Sequence, residues 1–230
     1  MAVLAFGLFG QNAILVPQET LGFDIHFVIL SNKAEVRQVA TKEQMAKEVE
    51  ILNHHFVTEE GKPVLQFRLK SVAFFHEIQS SRCSLVKLAD VPAEYDGQTW
   101  QTLFNGCDDA KVVDPHAINF YVYDSYKSDK GFSDTDSHGR KNHHRPYVLI
   151  DFARLNHKNQ APEEHEMGHA FGLSHVCVPG AKRDSDTNIM ASSECGQGSG
   201  GLRNLGFNLK QVAIILEVAH KVQKRLMAPD

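Results

Sequence analysis

Residues 165 to 175 read His165-Glu166-Met167-Gly168-His169-Ala170-Phe171-Gly172-Leu173-Ser174-His175, and this stretch constrains the 230-residue chain more than any other. On an α-helix, residues four apart project from one face, so His165 and His169 can turn both imidazoles toward one ion. Glu166 is adjacent to the first of them, within reach of a water at that ion. Gly172 can take positive φ, which ends the helix and folds the chain back so that His175 supplies a third ring. Three histidines leave one corner of a tetrahedron open, as catalytic zinc sites do, whereas structural zinc sites are closed by four protein ligands, usually with cysteine. The spacing predicts a helix, a glycine exit, and a Zn2+ site with His165, His169 and His175 as ligands and Glu166 as the catalytic carboxylate. A solvated surface helix bearing two histidines is the plain alternative, and it leaves the offsets of Gly172 and His175 to chance.

The rest of the chain supplies elements on which such a helix can rest. Leu21, Phe23, Ile25, Phe27 and Ile29 alternate with Gly22, Asp24 and His26, which predicts a first strand with one buried face. Thr41-Lys42-Glu43-Gln44 has the pattern of a capping box, and Met45, Val49, Leu52 and Phe56 follow at helical spacing, so an amphipathic helix packs on the sheet until Gly61 and Pro63 break the pattern. Leu65, Phe67 and Leu69 begin a second strand that runs into 72–75. Residues 76 to 116 have no clean period and are expected to form a long irregular connection. Ile118, Phe120 and Val122 mark a third strand, 124–146 is polar and turn-rich, and Tyr147 to Phe152 is nearly all apolar, as a strand covered on both faces would be. Pro162 suits the first position of the helix that bears the histidines, and Glu163 and Glu164 suit the positive end of its dipole. After a glycine-rich loop at 196–201, Asn208 and Gln211 can cap a last helix with Val212, Ile215, Leu216, Ala219, Val222 and Leu226 as its apolar stripe.

The H-E-x-x-H-x-x-G-x-x-H signature resembles that of the metzincin clan of zinc endopeptidases. The clan's second mark, a tight turn carrying a methionine beneath the metal, is matched by Thr187-Asn188-Ile189-Met190-Ala191. Met190 is read as a hydrophobic floor, because a thioether is soft and the third imidazole already completes the ligand set. The resemblance implies an α+β metzincin-like catalytic domain over 19–230: a twisted mixed sheet with a backing helix, an active-site helix, the methionine turn and a C-terminal helix. Its upper lobe would run to about residue 172 and its lower lobe over about 173–230. Within the clan the chain looks most like the pappalysin group, through Leu52-Asn53-His54-His55-Phe56, Leu65-Gln66-Phe67-Arg68-Leu69 and Ile118-Asn119-Phe120-Tyr121-Val122. One departure stands out: many metzincins carry tyrosine two residues after the turn methionine, and here that position is Ser192. The implied activity is hydrolysis of internal peptide bonds of protein or peptide substrates, with Glu166 as general base. The rival is a catalytically weak protein-binding or inhibitory module on the same fold.

Composition narrows the partners. A net charge of −4 from 24 basic and 28 acidic residues, interspersed, offers no basic patch for nucleic acid or anionic membrane, and a monomer is expected. A chain of this length forms one domain, or two lobes sharing a cleft, and buries roughly 70 to 75 per cent of its unfolded surface. The four cysteines, Cys83, Cys107, Cys177 and Cys195, lack any C-x-x-C spacing. Two bridges, Cys83 with Cys107 and Cys177 with Cys195, would accord with a secreted or extracytoplasmic protein; four free thiols would accord with a cytosolic one. Residues 1–18 hold no charged side chain and form an N-terminal apolar segment, either a signal remnant or a buried or loosely attached stretch, too short and polar to span a bilayer. Asp134, Asp136 and His138 raise the thought of a second metal, but a solvated loop at the cleft rim accounts for them, and His54-His55 and His143-His144 read as surface residues.

Overall fold

The fold is described from a computed structural model, which covers residues 20–31, 33–78, 107, 109–123, 126–127, 133–134, 137–142, 145–155, 162–193 and 198–228. Its frame is a five-stranded sheet in the order β2-β1-β3-β7-β6, from β1 (Gly22–Ile29), β2 (Gln66–Phe74), β3 (Ile118–Tyr123), β6 (Ser137–Asn142) and β7 (Arg145–Asp151). Four strands run parallel and β6 closes one edge antiparallel to β7, pairing His138 with Leu149 and Arg140 with Tyr147. Interior parallel strands are covered on both faces, which is why Phe27, Val28 and Ile29 of β1 and Val148, Leu149 and Ile150 of β7 are all buried without alternation. Between Ile25 and His26 the register against β2 slips by one residue, and there the buried His26 ring bonds the Ser71 hydroxyl and the Lys111 carbonyl.

The expected mixed sheet, backing helix, active-site helix, methionine turn and C-terminal helix are all present. After the short α1 (Ala34–Val39), the backing helix α2 spans Lys42–His55 and starts as its sequence predicts, with the Thr41 hydroxyl accepting from the Gln44 amide at 3.1 Å. The other half of the capping box is missing, because the Gln44 side chain donates instead to Glu48. The C-terminal helix, α4 (Leu209–Leu226), has a complete box between Asn208 and Gln211, and it buries Ile215, Ala219, Val222 and Leu226 as the stripe requires.

One expectation is corrected. The polar stretch 124–146 is not wholly a loop: it holds β4 (Tyr126–Lys127) paired with β5 (Ser133–Asp134), and the six-residue β6. Ser-His-Gly-Arg-Lys-Asn carries no apolar period-two pattern, and an edge strand needs none. The side chains of Asp134, Asp136 and His138 lie outside the described residues, as do residues 1–19 and 79–106 and the His143-His144 pair.

A single hydrophobic core joins sheet, helices and methionine turn. Phe56, just past α2, packs edge-on against Phe67 at 5.2 Å and against Phe207 at 4.7 Å, and lies 6.3 Å from Phe171 at the end of the active-site helix.

Candidate metal centre

The helix α3, which carries His165 and His169, spans Pro162–Ala170, with proline at its first turn where the missing N–H costs nothing. It packs against β6, β7 and α2. The chain leaves it at Gly172, whose φ of 96° lies in the left-handed region, and returns through His175 into β8 (Val176–Cys177). That strand pairs in parallel with β9 (Ala191–Ser192), and Val176 N donates to the Met190 carbonyl at 2.7 Å. Backbone pairing thus draws the third histidine to the methionine turn. Cys107 and Cys177 are not free thiols, whereas Cys83 and Cys195 lie outside the described residues, so the two expected pairings stay untested.

His165, His169 and His175 converge, with one ring nitrogen of each within 4.8 Å of the others. Their ring centroids are 4.6 to 5.2 Å apart. Two of the tautomers follow from simple chemistry, because a carbonyl oxygen only accepts. His165 Nδ1–H donates to the Ile189 carbonyl and His169 Nδ1–H to the Leu173 carbonyl, both at 2.8 Å, which leaves the Nε2 lone pairs for a ligand. Those two Nε2 atoms stand 3.1 Å apart. Bare lone pairs repel at that distance, and a cation between them removes the conflict; ligand nitrogens of tetrahedral zinc, at ~2.0 to 2.1 Å from the ion, are separated by roughly 3.3 Å. Donor type, tautomer and spacing are therefore compatible with a zinc ion. Among the described residues this is the only group of three His, Cys, Asp or Glu side chains that could hold a metal.

The surroundings keep the centre ready for a cation. Burial first, and then the positive charge of Arg203, push His165 down to about 3, so its ring is neutral near pH 7, as a ligand must be. Glu166, next along α3, is buried at 8% exposure. Glu163 and Glu164, in the first turn of the helix, are also buried, at 1% and 0% exposure. Burial holds both carboxyls well above the usual carboxylate range, helped by Glu48 at Glu163 and by Glu163 at Glu164. Glu163, protonated, bonds Glu48, so a carboxyl pair ties α2 to α3 two residues before the first histidine. Neither oxygen of Glu164 has a hydrogen-bond partner among the described residues.

Met190 is fully buried under the helix, and a Cβ placed on Gly168 would stand 2.5 Å from its sulfur, so only glycine admits the thioether there. The turn is held by side chains that motif reading had missed. Asn188 Oδ1 accepts from Met190 N at 3.0 Å, and the Asn188 and Gln211 amides exchange two bonds of 2.9 Å. Gln211 is also the third residue of α4, and its side chain completes the capping box with the N-cap Asn208. Ser192 is buried in β9 and offers no phenol near the centre. His54 is exposed and His55 half-buried, as a surface pair would be, and with Ile189 and Arg203 they line a cavity of about 340 Å3.

Fold and centre together define a mixed α/β protein with a three-histidine metal site at the end of a buried helix. Comparison of the chain with protein-family models and with curated proteins finds no match. Among solved structures, its fold is similar to mirolysin, seen in complex with a compound (12% identity, 92% of this chain and 100% of that chain, TM-score 0.48). It is also similar to metalloproteinase-II from Bacteroides fragilis (12% identity, 90% of this chain and 55% of that chain, TM-score 0.46). Archaemetzincin from Methanopyrus kandleri is a third (15% identity, 90% of this chain and 99% of that chain, TM-score 0.43).

Proposed function

We propose that this protein is a zinc-dependent endopeptidase of metzincin type, most like the pappalysin group, acting on protein or peptide substrates in a secreted or extracytoplasmic setting. The observation that carries this is the convergence of three imidazoles, two of them with Nδ1 tied to backbone carbonyls, beside a buried glutamate one position along the helix. His165, His169 and His175 would hold the ion. When bound, a zinc ion with an open position polarises a carbonyl and lowers the pKa of water toward ~7. The protein's own part is to present neutral rings, exclude bulk solvent, and place one proton carrier. Glu166 takes the proton of the attacking water and delivers it to the amine of the departing peptide segment, work typically worth about 10² to 10⁴ in rate.

Glu166→Gln keeps the shape of the side chain and removes its basicity. It should leave zinc stoichiometry unchanged and lower chelator-sensitive cleavage of a denatured protein by about 10² or more. Equal cleavage by the variant would rule out the assigned role. A second reading, a binding or inhibitory module on this fold, draws on Ser192, which cannot act as the tyrosine found there in many metzincins; zinc-replete wild type that cleaves no peptide would establish it.

A further inference from the structure

We propose that Thr187 is a positioning residue for the metal centre: it fixes the strand whose Ile189 carbonyl sets the ring of His165, and so governs how tightly and in what geometry the three histidines hold their ion. This rests on the zinc reading of those histidines and deepens it. Thr187 lies three residues before Met190 and is buried at 2% exposure, with every polar group it owns in use. Its hydroxyl donates to the Gly200 carbonyl at 2.7 Å and accepts from the Arg203 amide at 2.9 Å. Its own amide donates to the Asn204 side-chain oxygen at 3.3 Å, and its carbonyl accepts from Leu205 N at 2.9 Å. That last bond is one rung of a parallel bridge between Asn188 and Leu205, and the other rung runs from Ile189 N to the Leu205 carbonyl at 2.8 Å. The Ile189 carbonyl in turn accepts from His165 Nδ1–H at 2.8 Å. A histidine ligand takes its orientation from the partner of its second nitrogen, so whatever holds Ile189 in place also aims His165.

The backbone around Thr187 is shaped to receive this one side chain. Arg203, whose amide the hydroxyl accepts, has a φ of 52°, the only left-handed value of a non-glycine residue among those described. Such a conformation is costly and persists where the surroundings fix it, most often at functional sites. Gly201, with a φ of 69°, closes over the threonine so tightly that a Cβ there would strike its side chain. The turn beyond Thr187 also has no slack. Met190 sits against α3 where a Cβ on Gly168 would lie 2.5 Å from its sulfur, so a displacement of residues 187–190 is not absorbed by loose packing. It passes to the Ile189 carbonyl and from there to the ring of His165. Valine reproduces the shape of threonine without its hydroxyl, and it would leave the Arg203 amide and the Gly200 carbonyl without that partner.

The test uses the full chain and two readouts that do not depend on turnover: Zn2+ affinity in competition with a chromophoric chelator, and the visible absorption of the Co2+-loaded protein, whose bands follow ligand geometry. Thr187→Val should weaken Zn2+ binding about tenfold or more and change the position or intensity of the Co2+ bands. Thr187→Ser keeps the hydroxyl and should recover most of both. Val36→Ala, which opens the buried core at α1 away from the turn, lowers stability and should leave both readouts at wild-type values. Asn204→Ala removes only the exposed acceptor of the Thr187 amide; it should move both readouts in the same direction by less, and it decides the question where Thr187→Val does not fold. Wild-type affinity and spectrum in Thr187→Val, or in Asn204→Ala where that variant must stand in, overturn the proposal. So does a shift in Val36→Ala as large as that in Thr187→Val. Wild type that binds neither ion removes the zinc reading and this inference with it, whereas wild type that holds Zn2+ and cleaves nothing removes the peptidase reading alone.

Discussion

A buried carboxyl group with no hydrogen-bond partner among the described residues, such as Glu164, is a useful place to test how α3 is held. Burial keeps its folded pKa above the value of an unfolded chain, so between the two values the folded state binds a proton that the unfolded state has released. Its contribution is full below about pH 4.5 and is lost as pH rises toward the folded value. Gln cannot titrate. Glu164→Gln should therefore raise the thermal midpoint of the metal-free protein relative to wild type at pH 8, and the gain should shrink at pH 5; a gain that grows toward acid pH would contradict the assignment. The same residue shows where sequence reading stops. His165, His169, His175, Glu166 and Met190 are set by offsets along the chain, and those offsets survive in the folded structure. Glu163 and Glu164 were legible as first-turn acids that suit the helix dipole, but nothing in their spacing reveals that they are buried. The Ile189 and Leu173 carbonyls that fix two histidine tautomers have no side-chain signature at all.

Among the elements, helices were the most legible, since an apolar stripe with a cap repeats over many residues, and α2 and α4 lie where the periodicity puts them. The edge strand β6 was not, because Ser137 to Asn142 pairs by backbone alone. The methionine turn is legible only in part: Met190 is recognisable, but its tie to α4 through Asn188 and Gln211 links residues far apart in sequence. That tie predicts a specific weakness. Gln211→Ala removes the side-chain half of the α4 capping box and leaves the half-buried Asn188 amide short of a partner, which should cost about 1 to 3 kcal/mol in urea unfolding. Because Asn188 also holds Met190 N, and Ile189 orients His165, zinc affinity should fall by roughly 10- to 100-fold, as loss of an orienting partner behind a metal ligand does. Unchanged affinity in a competition assay with a zinc indicator would show that turn and helix are independent.

At the scale of the whole molecule, one core runs from β1 to the last turn of α4, so metal binding and folding are coupled. An ion bound only by the native state at 1,000 times its dissociation constant adds about 4 kcal/mol, and each kcal/mol moves the midpoint of a chain this size by roughly 2 to 4 °C. Chelation should lower the wild-type midpoint by several degrees and have no effect on His169→Ala, a contrast that calorimetry reads directly. No helix among the described residues is long and apolar enough to cross a membrane. The reciprocal amide pair between Asn188 and Gln211 has a practical corollary. The floor of a centre assembled from residues 165 to 175 is pinned by the opening turn of the final helix, so ion uptake becomes a gauge of whether that helix has docked. A polypeptide emerging from synthesis could display every ligand and still hold zinc poorly until the segment that forms α4 has docked.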